Sequence, residues 1–270
     1  MSRIIAISNQ KGGVGKTTTC VNLAASLAAT KRRVLLVDLD PQGNATMGSG
    51  VNKLEVALSG YHLLLEDVPL GEVIIDAEAA GYHLLPGNSD LTAAEVGLMQ
   101  REQRETRLGI RLQPVADDYD YILIDCPPAL NMLTLNALTA ANAVFIPIQC
   151  EYYALEGLSA LLETVEQIRA AVNPGLEIEG LLRTMFDARN NLANEVSQQL
   201  LDHFGDKVYR TIIPRNIRLA EAPSYGAPIL RYDKTSRGAI AYLALAAEMV
   251  RRAQPPVQQP DEPRAEALGP

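Results

Sequence analysis

The chain is expected to fold as a doubly wound α/β structure, a mostly parallel sheet flanked by helices, and three observations predict it. Short apolar runs recur along the chain, and several are unbroken Ile, Leu and Val rather than alternating, the pattern of strands covered on both faces. Helix-like segments separate them, so successive strands join through right-handed crossovers. The first apolar run is followed at once by a glycine-rich loop and then a helix-like segment, a strand–loop–helix unit.

Strands are expected over residues 4–8, 34–37, 82–85, 121–124, 143–148, 178–185 and 208–213. Helices are expected over residues 17–29, 91–112, 134–141, 155–172, 192–204 and 238–252. Residues 51–81 carry no decisive pattern, and His62 and His83 are read as structural. Residues 1–252 form one domain in this reading. Residues 253–270, with five prolines among polar side chains, are read as a disordered tail.

Composition sets further bounds. With 47% hydrophobic residues the chain can bury a sizeable core. A net charge of −8 excludes a protein that is basic throughout, so any nucleic-acid contact must come from a local patch. Cys20, Cys126 and Cys150 are scattered, without a C-x-x-C pair, which suits buried thiols in a reducing compartment. No apolar run is long enough to span a membrane and no signal peptide precedes the first strand, so a cytoplasmic location is expected.

The loop Gln10-Lys11-Gly12-Gly13-Val14-Gly15-Lys16-Thr17-Thr18 carries the chemistry. Glycines let consecutive N–H groups close around phosphate oxygens, and the following helix N-terminus adds its dipole. Lys16 is placed to reach the β- and γ-phosphates of a nucleoside triphosphate, and the Thr17 hydroxyl to ligate Mg²⁺. Against the pattern G-x-x-x-x-G-K-[ST], Gln10 stands where the leading glycine belongs, and Lys11 is a second cation. Residues 33–40 read RVLLVDLD, a strand ending in Asp38 and Asp40, and residues 121–125 read YILID, ending in Asp125. Strand ends of this kind face the ligand crevice in open α/β sheets. An isolated Asp after a strand is usually a cap or turn residue; the three elements in correct order make the P-loop NTPase type the better reading.

KGGVGKTTT, DLDPQGNAT, DCPP, IPIQCEYYALEGL and IPRNIRLAEAPSYGAPI together resemble the ParA (Soj-like) chromosome-partitioning ATPases, in the deviant Walker A group that also holds the MinD ATPases. The matches extend from about residue 3 to residue 249. The resemblance implies a slow, Mg²⁺-dependent ATPase that forms an ATP-bound homodimer. It implies that Lys11 crosses that interface to the partner's nucleotide and that Asp40 positions the attacking water. Asp38 and Asp125 would organise the metal's water shell, and Pro214 and Asn216 would hold the adenine. Partners implied are nonspecific double-stranded DNA and a ParB-type centromere-binding protein, with nucleoid association in the ATP state.

Residues 205–237 carry seven basic against three acidic side chains, a local reversal of the protein's charge. Arg189 and Arg218 match arginines implicated in DNA contact in the family. A MinD-like membrane-cycling protein would need a C-terminal amphipathic helix, which the Pro-rich tail cannot form. With the loop starting near residue 10, no operator-reading domain is expected ahead of it. A metabolic enzyme on the same loop would be a dethiobiotin-synthetase-like ligase, for which no dedicated substrate residues stand out, or an iron–sulfur ATPase needing interface cysteines.

Overall fold

The apolar runs become buried strands because helices cover both faces of the sheet. A computed structural model describes residues 2–254. In chain order the elements are β1 (Arg3–Ile7), α1 (Lys16–Ala29), β2 (Val34–Asp38), α2 (Asn44–Gly48), α3 (Gly60–Leu65), α4 (Leu70–Val73), β3 (Ile75–Ala77) and β4 (Tyr82–Leu85). Then come α5 (Leu91–Leu98), α6 (Arg107–Leu112), β5 (Tyr121–Asp125), α7 (Met132–Ala140), β6 (Ala143–Gln149) and α8 (Ala154–Ala171). The chain closes with β7 (Glu177–Phe186), α9 (Asn191–Phe204), β8 (Val208–Pro214), α10 (Ile217–Glu221), α11 (Ile229–Tyr232) and α12 (Arg237–Ala253).

The eight strands form one sheet in the order β3-β4-β2-β5-β1-β6-β7-β8. All neighbours are parallel except β3 and β4. Alternation along each strand sorts the core into two layers. Leu35, Val37, Ile122 and Ile124 face the layer built with α3 to α9. Val34, Leu36, Tyr121 and Leu123 face the layer built with α1 and α12. The chain leaves β1 towards β2 on one side, and β6 to β8 fill the other. The crevice where strand order reverses therefore lies at the carboxyl end of β1, and the segments after β2 and β5 open onto it.

The expected single helix over residues 91–112 is corrected to two, α5 and α6. Residues 99–107 read MQREQRETR, which offers no apolar face to bury, and Gln103 takes a positive φ of 52°. Buried Asn136 holds the break, donating to the Arg104 carbonyl at 2.7 Å and accepting from Leu108 N at 3.1 Å. Residues 51–81 hold two short helices and the antiparallel edge strand β3, none of them expected. His62 closes a capping box with Ser59 at the start of α3, and His83 pairs with the Tyr119 hydroxyl at 2.7 Å, so both do structural work. Of the tail, only Ala253 and Gln254 fall within the described residues, where Ala253 ends α12. The expectation for residues 255–270 lies outside the described residues.

Candidate functional site

The loop after β1 is built to leave its N–H groups free. Gly15 begins α1 with φ of 88°, a left-handed conformation that costs a residue with a Cβ about 1–2 kcal/mol. No side chain caps the 14-residue helix, so its first-turn donors and dipole face the crevice. Neighbouring elements pin the loop's ends. Asn9 donates to the Pro147 carbonyl at 2.8 Å and accepts from Lys11 N at 2.9 Å. Thr184 on β7 donates to the Val14 carbonyl at 2.7 Å. Gln10, in the leading glycine position, reaches Thr164 on α8 at 3.3 Å, so the departure from the common pattern serves as an anchor.

The two lysines are in opposite situations. Lys16 is buried, and its Nζ donates to the Lys11 carbonyl at 3.1 Å. Burial lowers its pKa, while the nearby Asp125 and Asp40 charges work against that. Lys11 points outward instead. Its Nζ lies 2.6 Å from Glu151 Oε2, with the two side chains 38% and 47% exposed. Glu151 had no assigned role in the sequence, and only the fold brings it to the loop.

Beneath the loop, Asp38 and Asp125 sit opposite each other on adjacent strands, both fully buried. Thr46 donates to Asp38 Oδ2 through both N and Oγ1, each at 2.7 Å, and Asp40 N donates to Oδ1 at 3.2 Å. Gly87 packs so closely on Asp38 that an added Cβ would lie 2.5 Å from its backbone carbonyl oxygen and 3.0 Å from its carboxyl carbon. Cys20 donates its thiol to Asp125 Oδ1 at 3.3 Å, whereas Asp125 Oδ2 is buried without a hydrogen-bond partner. Burial, resisted by the Thr46 bonds, pushes Asp38 up to about 6. Burial and the Asp38 charge push Asp125 up to about 8, opposed by the Thr17 and Cys20 side chains. Asp40, at the mouth of the crevice, accepts from Gln42 N at 2.9 Å.

These parts enclose one cavity of about 440 Å³. Gly12, Gly13, Gly15, Lys16, Thr17 and Thr18 line it on one side, with Asp40 and Asn44 beside them. Met185, Pro214, Asn216 and Leu219, from β7, β8 and α10, complete it. Lys11, Val14, Asp38 and Asp125 do not line it; the last two lie beneath its floor. Asn216 also caps α10, accepting from Leu219 N at 3.1 Å. Among the described residues no group of three His, Cys, Asp or Glu gathers in metal-ligating geometry. The unsatisfied Asp125 oxygen, near the Thr17 hydroxyl, nonetheless fits a hydrated Mg²⁺, a hard cation that keeps most of its waters.

The two candidate DNA arginines are already paired. Arg189, 90% exposed, makes a two-pronged contact with Asp187, at 2.9 Å from Nε and 2.7 Å from Nη2. Arg218, 55% exposed, meets Glu221 at 2.9 Å and Asp233 at 3.7 Å. Cations of the surrounding basic segment line several clefts. Arg215 lines the cavity described above, Arg237 a shallow cleft beside β8, Arg231 and Lys234 a cleft against α1, and Arg210 a pocket with Arg251 and Arg252. Arg251 and Arg252 lie beyond the segment counted in the sequence, and the last turn of α12 brings them to Arg210. No helix among the described residues is long and apolar enough to cross a membrane.

A glycine loop between a central strand and an open helix N-terminus, with acidic ends on the next two strands to one side of it, β5 and β2, defines a P-loop nucleoside-triphosphatase. The comparisons agree. Residues 2–178 match the family model described as an AAA domain. The chain is 52% identical to the chromosome partitioning protein ParA of Myxococcus xanthus over 94% of its length and 90% of the relative's. It is 53% identical to the sporulation initiation inhibitor protein Soj of Bacillus subtilis, over 92% and 98%. Among solved structures, cobyrinic acid a,c-diamide synthase from Mycobacterium smegmatis, with bound ADP and magnesium, superposes with a TM-score of 0.82 at 38% identity, covering 93% of this chain and 95% of that one. The chain belongs to the ParA/Soj family of chromosome-partitioning ATPases.

Proposed function

We propose that this ATPase is an ATP-switched DNA-partitioning protein: Mg²⁺-ATP drives a homodimer that binds DNA without sequence preference, and a ParB-type partner stimulates hydrolysis to release it. The observation that carries the reading is the separation of the two loop lysines. Lys16 is committed to the chain's own cavity, whereas Lys11 lies outside it on an exposed carboxylate, free to serve a second subunit.

Phosphate oxygens bind the free N–H groups of residues 12–18 and the Lys16 ammonium, which gives up the Lys11 carbonyl to reach them. Mg²⁺, when bound, would supply positive charge against the charge that develops on the phosphates. Thr17 would ligate it directly, and Asp125 and Asp38 would order its waters from below. Asp38, already holding Thr46 and Asp40, ties that water shell to the segment carrying Asp40. Asp40 then orients the attacking water. Pro214 and Asn216 would hold the adenine. Slow turnover belongs to the same reading, with Lys16 the loop lysine that lines the cavity.

The test is binding to random-sequence duplex DNA with ATP, ADP or no nucleotide across a salt series, with Lys16→Ala as control. ATP-dependent, salt-sensitive binding that the control lacks is expected. ATP bound without DNA binding would reject the DNA role. Lys11→Ala should keep nucleotide binding and lose the ATP-dependent dimer, as read by light scattering; a full dimer would remove the interface role.

A further inference from the structure

Strand β7 breaks its own alternation where it meets the cavity. Leu181 packs in the layer with α9 and Leu182 in the layer with α1, so side chains switch sides residue by residue. Arg183 continues the first side, donating to Ser197 on α9 at 2.8 Å, and Thr184 the second, donating to the phosphate loop. Met185 should return to the α9 side. It lines the nucleotide cavity instead, and Phe186 packs against the α9 layer in its place.

The backbone explains the slip. Met185 has φ of 48°, a left-handed conformation uncommon for any residue with a Cβ. The register against β8 shows one extra residue here: Arg183 pairs with Ile212 and Phe186 with Pro214, three steps against two. This is a β-bulge, the device that re-aims a side chain beside a functional site. Strain held at such a point is retained where it serves function. The side chain it aims joins Pro214, Ile213, Leu219 and Ala220 in the apolar part of the cavity, across from the loop's donors.

We infer that Met185 is a base-contacting residue, turned by the bulge so that its thioether packs on the planar ring of the bound nucleotide. This rests on the nucleotide-binding reading above. A polarizable, unbranched side chain suits a flat π-face, which a strand of normal register would not present at this point.

The test compares ATP with inorganic tripolyphosphate, which lacks base and ribose, by calorimetric titration with Mg²⁺ present. Wild type is set beside Met185→Gly, which tolerates the positive φ and removes the side chain, and Met185→Leu, which keeps an apolar side chain of similar size. Met185→Gly should weaken ATP binding roughly tenfold, leave tripolyphosphate binding unchanged and unfold at no lower temperature. Met185→Leu should restore most of the ATP affinity. Equal ATP affinity in Met185→Gly would overturn the inference, as would an equal loss for tripolyphosphate, which would mean a distorted loop. A wild-type chain binding tripolyphosphate but not ATP would overturn the ATP reading itself.

Discussion

The carboxylates under the phosphate loop and the ion pairs on the surface use the same side-chain chemistry in opposite regimes. Asp38 and Asp125 are fully buried, face each other across two strands, and have no cation bonded to them. Lys11–Glu151, Arg189–Asp187 and Arg218–Glu221 are each matched pairs of opposite charge in contact with water. The buried pair is costly until something positive arrives, so it suits a site that waits for a cation. The exposed pairs are worth about 0–1 kcal/mol each. They suit a surface that trades partners, because a phosphate can replace a carboxylate at little net cost. In the proposed reading, chemistry sits where charge is expensive, and switching where it is cheap.

The largest effect should come from the buried side. Both folded pKa values lie above the ordinary carboxylate value of 3.8, at about 6 and about 8. The folded state therefore holds more protons than the unfolded one, and that stability is fully present below pH 3.8. It is lost as pH rises through the folded values. In the absence of nucleotide, stability should fall between about pH 5 and 8 as the pair is forced to ionise. Asp125→Asn keeps the shape and removes one charge. It should raise stability at pH 8 by roughly 1–3 kcal/mol and flatten the slope, while impairing Mg²⁺-dependent hydrolysis. Denaturant melts at pH 5, 6.5 and 8 decide it. An unchanged slope would show that the pair is not what makes the apo site costly.

An intermediate effect is expected at Arg218. Arg218→Glu gives up its contacts with Glu221 and Asp233 and sets a third acid beside them. ATP-dependent DNA binding should weaken by roughly 1 kcal/mol or more at any sequence, with a shallower salt slope. ATP hydrolysis without DNA should persist. Equal affinity and equal slope would remove Arg218 from the DNA surface, leaving Arg210, Arg251 and Arg252 at the end of α12 as the next basic cluster to test.

The same contrast explains what the sequence could and could not disclose. The phosphate loop, Asp38, Asp40 and Asp125 were legible because each sits in a contiguous strand-end motif whose backbone geometry is local. The sheet was legible because its strands are buried on both sides and read as unbroken apolar runs. Glu151, Thr46 and the Met185 bulge were not, since each acts through a partner or a register set by distant strands. The arrangement of the basic segment was not legible for that reason too: of its seven cations, Arg210, Arg215, Arg231, Lys234 and Arg237 are near in sequence but line four clefts once β8, α10 and α11 turn. Residues 51–81 resisted because their helices are six and four residues long, too short for a periodic face, and only α3 carries a capping box.

The smallest effect sharpens the contrast most, at the Lys11–Glu151 pair. Glu151 holds Lys11 at 2.6 Å, so in the proposed dimer Lys11 would have to break this ion pair before reaching a partner's nucleotide. At 38% and 47% exposure, that pair is screened by water and salt, and its release costs at most about 1 kcal/mol. Glu151→Gln should therefore lower the ATP concentration needed for dimerisation by no more than about fivefold, at low salt, with the gain fading as ionic strength rises. Light scattering against ATP concentration at 0.05 M and 0.5 M salt reads it directly. A larger, salt-independent gain would mean that Glu151 blocks the interface by shape rather than charge. A loss of dimer would mean that the carboxylate belongs to the interface, and the cheap exposed pair would then be a dimer contact awaiting its second half.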